Sequence, residues 1–147
     1  MSLDISLRIL NHKYKEWKEN LERSLKEVKE HELFNLLPTI EQYYSDRQPL
    51  ETIEVFEGNI THNLVDMAEK AGLYYCIWRP EEQGIKIAKD LIDPLERGLK
   101  DLTDKPEKYK LYNPPNGWGS YETLVSFIDR YLAACKENPE AEIYAWR

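Results

Sequence analysis

The stretch "SLDISLRILNHKYKEW", Ser2–Trp17, contains a change of hydrophobic period that decides the fold class. Leu3, Ile5, Leu7 and Ile9 alternate with Asp4, Ser6 and Arg8. A period of two is the mark of a half-buried strand. Beyond Asn11 the apolar residues Tyr14, Trp17, Leu21, Leu25 and Val28 recur at spacings of three and four, with Lys, Arg and Glu between them. This predicts an amphipathic helix over His12–Glu32, with Asn11 as its N-cap. A strand that runs straight into a helix requires a fold in which both element types share a core.

The same two periods organise the rest of the chain. Pro38 interrupts the helical pattern, and a short helix is expected over Thr39–Asp46. "RQPLETIEVFEG" returns to strand character and is expected to end at Gly58-Asn59. A helix opening near Thr61 carries Leu64, Met67, Ala68 and Ala71 on one face, with Gly72 as its C′ residue. "LYYCIWRPEEQ" reads as helix-like or irregular. From Gly84 onward Ile85, Ala88, Leu91, Ile92, Leu95, Leu99 and Leu102 keep a helical period. Pro94 within it either caps a second helix or kinks a continuous one. Another short helix is expected from Asp104. "NPPNGWGS" is a loop. Ser120 or Gly119 then caps a helix with Leu124, Val125, Ile128, Tyr131, Leu132 and Cys135 on its apolar face. "AEIYAWR" closes as a strand. The expected architecture is one α+β domain over residues 1–147. It has a small antiparallel sheet of three strands covered by helices, and a helical insertion, residues 12–48, between the first two strands.

Bulk properties exclude several functions. The chain has 147 residues, 41% hydrophobic and 32% charged, with a formal charge of -7. That composition suits a globular domain with a sizeable core. The acidic balance repels phosphate backbones, so nucleic-acid binding is disfavoured. No apolar run approaches the roughly 18–20 residues that span a bilayer, so no membrane role is expected. Without a secretory signal pattern at the start, the expected compartment is the cytoplasm. Cys76 and Cys135 each lie in an apolar stretch and are expected to be reduced core thiols. No zinc, calcium, dinucleotide, P-loop or G-x-S-x-G motif is present, so neither metal nor cofactor is expected.

Three stretches remain as candidates for chemistry. Thr61-His62-Asn63 stands where strand gives way to helix. Thr61 or Asn63 suits helix capping, and with Asn63 as cap Asp66 falls at the third helical position. His62 is left unexplained by capping. The positive end of a helix disfavours the imidazolium there, and a neutral ring is able to act as a base or ligand. His62 is therefore the candidate catalytic residue, against the commoner role of a hydrogen-bonded structural histidine. In "WRPEE", Arg79 either stacks on Trp78 and pairs with a glutamate, or holds an anionic group. In "YNPPNGWGSYE", Gly117 and Gly119 flank Trp118, an arrangement that either plugs the protein's own core or meets a ligand. Core plugging is the favoured reading.

Taken together, "NITHNLVDMAEKAGLYYCIWRPEE", "DLIDPLERGL", "NPPNGWGSYE", "FIDRYLAAC" and the last strand resemble a group of small uncharacterised bacterial proteins, several of them phage-related. The resemblance covers roughly residues 54–147 and extends weakly to the first strand. The helical stretch of residues 12–48 lies outside it. It implies no activity, cofactor or catalytic residue. It does imply that Thr61, His62, Asn63, Trp78, Arg79, Asn116 and Trp118 form one spatial cluster. The expected function is a non-enzymatic accessory or interaction protein from a mobile element. Its partner, or a second copy, would meet the amphipathic helix of residues 12–32. The alternative is a small enzyme or small-molecule binder with a pocket around His62, Arg79 and Trp118.

Overall fold

A computed structural model describes residues Met1–Arg147. The chain divides into two compact units, one of Met1–Ile9 with Glu54–Arg147 and one of Leu10–Ile53. The fold is α+β, with a three-stranded antiparallel sheet in the order β2-β1-β3. The strands are β1 (Ser2–Leu10), β2 (Thr52–Thr61) and β3 (Glu142–Trp146). Two helices, α1 (His12–Glu30) and α2 (Leu37–Ser45), lie between β1 and β2.

β1 is the central strand because its alternation supplies one continuous apolar row. Leu3, Ile5 and Leu7 are fully buried, and burial of each side chain stabilises the fold by about 1.5–3 kcal/mol. On one side Asp4 pairs with Trp146 and Arg8 with Glu142 across β3. On the opposite face of the sheet the Arg8 guanidinium lies 4.8 Å from the Tyr144 ring and 5.5 Å from that of Trp146. On the other side the Asn59 amide donates to Ser2 Oγ (2.9 Å) and Asp4 Oδ1 (2.6 Å).

These bonds correct the expectation that Gly58-Asn59 ends the second strand. The strand continues to Thr61. The glycine is there for close packing rather than for a turn. A Cβ on Gly58 would lie 2.8 Å from Phe127 Cε2 and 3.0 Å from the Phe56 ring.

The helices that cover this sheet are α3 (Val65–Lys70), α4 (Tyr74–Trp78), α5 (Lys89–Asp104), α6 (Pro106–Lys110) and α7 (Tyr121–Glu137). α3 ends in a left-handed Gly72, φ 74°. Leu73 N–H then bonds Ala68 O at 2.8 Å and Gly72 N–H bonds Glu69 O at 3.0 Å, the two bonds of a Schellman stop. Pro94 lies inside a single continuous α5. That helix begins at Lys89, later than the apolar period suggested. The residues just before it run beside β3 instead, Ile87 forming an antiparallel bridge with Glu142. Ile143 N–H bonds Lys86 O (3.1 Å) and Ala88 N–H bonds Ala141 O (2.8 Å). Ile85 and Ile87 fit an alternating pattern as well as a helical one, and the exposed edge of β3 takes the extended form.

Gly98 sets the approach of α5 to the core. A Cβ there would lie 2.3 Å from Leu73 Cδ2 and 2.4 Å from its Cγ, and Leu73 is fully buried. Gly98→Ala is expected to lower stability by about 1–3 kcal/mol through overpacking, despite alanine's better helix propensity. Urea unfolding checks this; an unchanged or higher midpoint would contradict it.

In the unit Leu10–Ile53, Asn11 caps α1 as expected, its Oδ1 accepting from Lys13 N–H at 3.1 Å. The apolar stripe of α1 meets α2. Trp17 Nε1 donates to Tyr44 O (2.8 Å), and Ser24 Oγ shares a hydrogen bond with Tyr44 Oη (2.9 Å). Leu33, Phe34 and Leu36, which join the two helices, remain exposed.

Candidate functional site

Thr61 ends β2 in an extended conformation, and its Oγ1 accepts from Asn63 N–H at 3.3 Å. Thr61 is therefore the cap, and Asn63 is not. His62–Leu64 forms one 3-10 turn leading into α3, and His62 N–H is fixed by Met1 O at 3.2 Å. The imidazole is thus held at a strand-to-helix corner.

Its Nδ1 accepts a hydrogen bond from Trp78 Nε1 at 2.9 Å. An indole N–H only donates, so His62 must present a lone pair at Nδ1. The neutral ring then carries its proton on Nε2, which has no partner within the chain. Trp78 is 2% exposed and stacks on Tyr74, with centroids 6.0 Å apart at 15°. The Trp78 carbonyl accepts from Arg147 Nη1 at 2.7 Å, and that guanidinium also reaches Glu81 Oε1 at 2.7 Å. Glu81 is held below the usual carboxylate range by a main-chain N–H and then by Arg147. Arg79 donates from Nε to Tyr74 Oη (3.3 Å) and pairs with Glu82 (3.5 Å).

The loop "YNPPNGWGS" lies against this corner. Asn113 Oδ1 accepts from Tyr121 N–H (2.8 Å), and Asn116 Oδ1 accepts from Trp118 N–H (3.0 Å). Gly119 has φ 96°, and a Cβ on it would lie 2.7 Å from Thr61 Cγ2, so only glycine allows the loop to lie this close. Asn63 Nδ2 donates to Trp118 O at 3.3 Å. Ser120 caps α7 by accepting from Thr123 N–H at 3.2 Å.

Between corner and loop lies a cleft of about 460 Å³. One wall is His62, Asn63 and Asp66, and the other is residues 111–116. Of the residues singled out in the sequence, His62, Asn63 and Asn116 line it. Trp118 is tied to two of these through its main chain. Trp78 supports His62 from the core. Arg79 is absent from the walls. Trp118 does not plug the core, because its side chain is 73% exposed. Asp66, Tyr112 and Asn113 also line the cleft and were not singled out as candidates. Asn113 stood in the quoted loop, and its position before Pro114-Pro115 is the one signal that pointed to it.

The remaining reactive groups lie elsewhere. Cys76 and Cys135 are free and buried, and burial pushes both thiols up to about 12. Such thiols are poor nucleophiles. No group of three or more His, Cys, Asp or Glu side chains is arranged to hold a metal ion. No helix is long and apolar enough to cross a membrane.

No protein-family model, curated protein or solved structure matches the chain. The reading of the cleft therefore stands on its chemistry.

Proposed function

We propose that the protein is a non-enzymatic recognition protein whose ligand enters the cleft beside Trp118. The observation that carries this reading is the hydrogen bond from Trp78 to His62 Nδ1. A general base must offer its lone pair to the proton it removes. That lone pair is occupied here by a buried indole, which leaves His62 an N–H donor at Nε2. The two thiols are sequestered, and the Thr61 hydroxyl is engaged in capping. An exposed tryptophan whose main chain is bonded to Asn63 and Asn116 at a polar cleft supports binding, since such residues dominate the energetics of recognition surfaces. The buried thiols fit a reducing compartment, and we take the cytoplasm as the place of action. The resemblance over residues 54–147 supports a core shared with the small bacterial and phage-related proteins.

Ligand-detected NMR tests the reading, with a panel of neutral sugars, amino acids, nucleosides and short peptides. At least one class is expected to broaden with the wild-type protein and not with Trp118→Ala of unchanged melting temperature. Absence of binding by every class would overturn the reading. So would chemical conversion of a bound compound by the wild type but not by His62→Gln.

A second reading is favoured by one observation. Leu33, Phe34 and Leu36 are exposed side by side, Phe34 at 55%. They offer an apolar contact for a protein partner or a second copy, at the end of α1 rather than along its stripe. Light scattering of Phe34→Asp against wild type separates self-association from binding to another protein.

A further inference from the structure

We propose that the cleft takes an uncharged, hydroxyl-rich ring, a pyranose unit of a saccharide. This deepens the recognition reading above and rests on it.

The walls carry both donors and acceptors, and their orientations are fixed. Asn113 and Asn116 each use Oδ1 on a main-chain N–H, which assigns their amides and leaves both NH₂ groups without a partner. Asn63 uses Nδ2 on a carbonyl and leaves Oδ1. His62 adds the Nε2 N–H. The Asp66 carboxylate and the Tyr112 hydroxyl form no hydrogen bond or ion pair within the chain and line the same space. The cleft therefore offers three neutral donor groups, two acceptors and one hydroxyl that serves as either.

This inventory selects among ligand classes. An anion would find no Lys or Arg in the walls and would face Asp66. A cation would satisfy Asp66 and leave the donors of His62, Asn113 and Asn116 without acceptors, which binding disfavours. An extended peptide would need a strand edge or apolar sockets. The walls are a short helical turn and a proline-rich loop, with Leu111 and the prolines as their apolar members. A sugar hydroxyl both donates and accepts, so it matches a wall that mixes the two. Trp118, exposed and two residues beyond Asn116 on the same loop, is assigned here as the flat apolar face against which the C–H side of a pyranose packs. The cleft's volume falls in the range of small-molecule sites.

Saturation-transfer NMR with glucose, mannose and N-acetylglucosamine, and with their β-1,4-linked trimers, tests this. At least one is expected to receive saturation on its ring C–H protons and to bind with an affinity insensitive to added salt. Trp118→Ala is expected to weaken binding about tenfold or more, and Trp118→Phe to retain most of it. Asn116→Asp keeps the oxygen that holds Trp118 N–H but replaces the free amide by a negative charge. It is expected to weaken a sugar, whereas it would tighten an ammonium ligand. Sugar binding left unchanged by both Trp118→Ala and Asn116→Asp overturns the proposal, since the site then lies elsewhere. If no sugar binds while another class binds through Trp118, the saccharide assignment falls and the recognition reading stands. If nothing in the panel binds, both fall.

Discussion

Trp78→Ala is expected to destabilise the protein by about 3–5 kcal/mol, a large part of the stability of a single domain. The side chain is one of the largest in the core. It is fully buried, stacked on Tyr74 and hydrogen-bonded to His62. Trp78→Phe separates the two contributions. Phenylalanine fills much of the space but has no N–H, so the loss beyond packing is expected to be about 0.5–1.5 kcal/mol. Urea midpoints of wild type, Trp78→Phe, His62→Phe and the double variant close a cycle that isolates the pair. A coupling of zero would show that the hydrogen bond contributes nothing to stability. Nitrogen-15 shifts of the His62 ring check the consequence for the site. Wild type is expected to show the Nε2–H tautomer, and Trp78→Phe a mixture.

The second large effect is expected in alkali. Burial pushes Cys76 and Cys135 up from 9.0 to about 12. Burial and the Asp101 carboxylate push Tyr109 up from 10.0 to about 12. Burial also holds Tyr131 well above its ordinary value. In each case the folded state keeps its proton more tightly than the unfolded chain does. The stability these groups contribute is fully present below about pH 9, and it is lost as pH rises through 12. A three-unit rise corresponds to about 4 kcal/mol for Cys76 alone. Base-induced unfolding, followed by circular dichroism, is therefore expected between pH 9 and 12. Cys76→Ala should flatten the descent while lowering stability modestly at neutral pH. An identical slope in the variant would remove the thiol from the account.

The legible parts of this fold are those whose causes are local in sequence. The alternation at Leu3–Ile9, the cap at Asn11 and the glycine stop at Gly72 each depend on residues a few positions away. Gly58 misled because glycine before asparagine usually marks a turn. Its actual cause is the ring of Phe127, on a helix far along the chain. Ile85 and Ile87 fitted two periods, and only the bare edge of β3 decides between them. The site divides in the same way. A cap at Thr61 or Asn63 was readable from the neighbours, and the bond from Asn63 N–H to Thr61 Oγ1 decides between them. The role of His62 depends on an indole 16 residues away, so its spacing alone could not distinguish base from donor. Trp118 illustrates the reverse case. Sequence pattern speaks of apolar content, and it does not tell whether a tryptophan between two glycines faces inward or outward.

The pairing of Asp4 with Trp146 has a consequence for the order in which the molecule can be made. Of the elements described, the central strand is synthesised before the others, and one of its two neighbours after them. Between those moments its β3 side is an open ladder of N–H and C=O groups. It is able to pair with other chains during that interval. Contacts of such long sequence separation also slow folding. Synthesis paused before Glu142 should therefore yield nascent chains that hold a β1–β2 pair, remain sensitive to protease, and aggregate when released early.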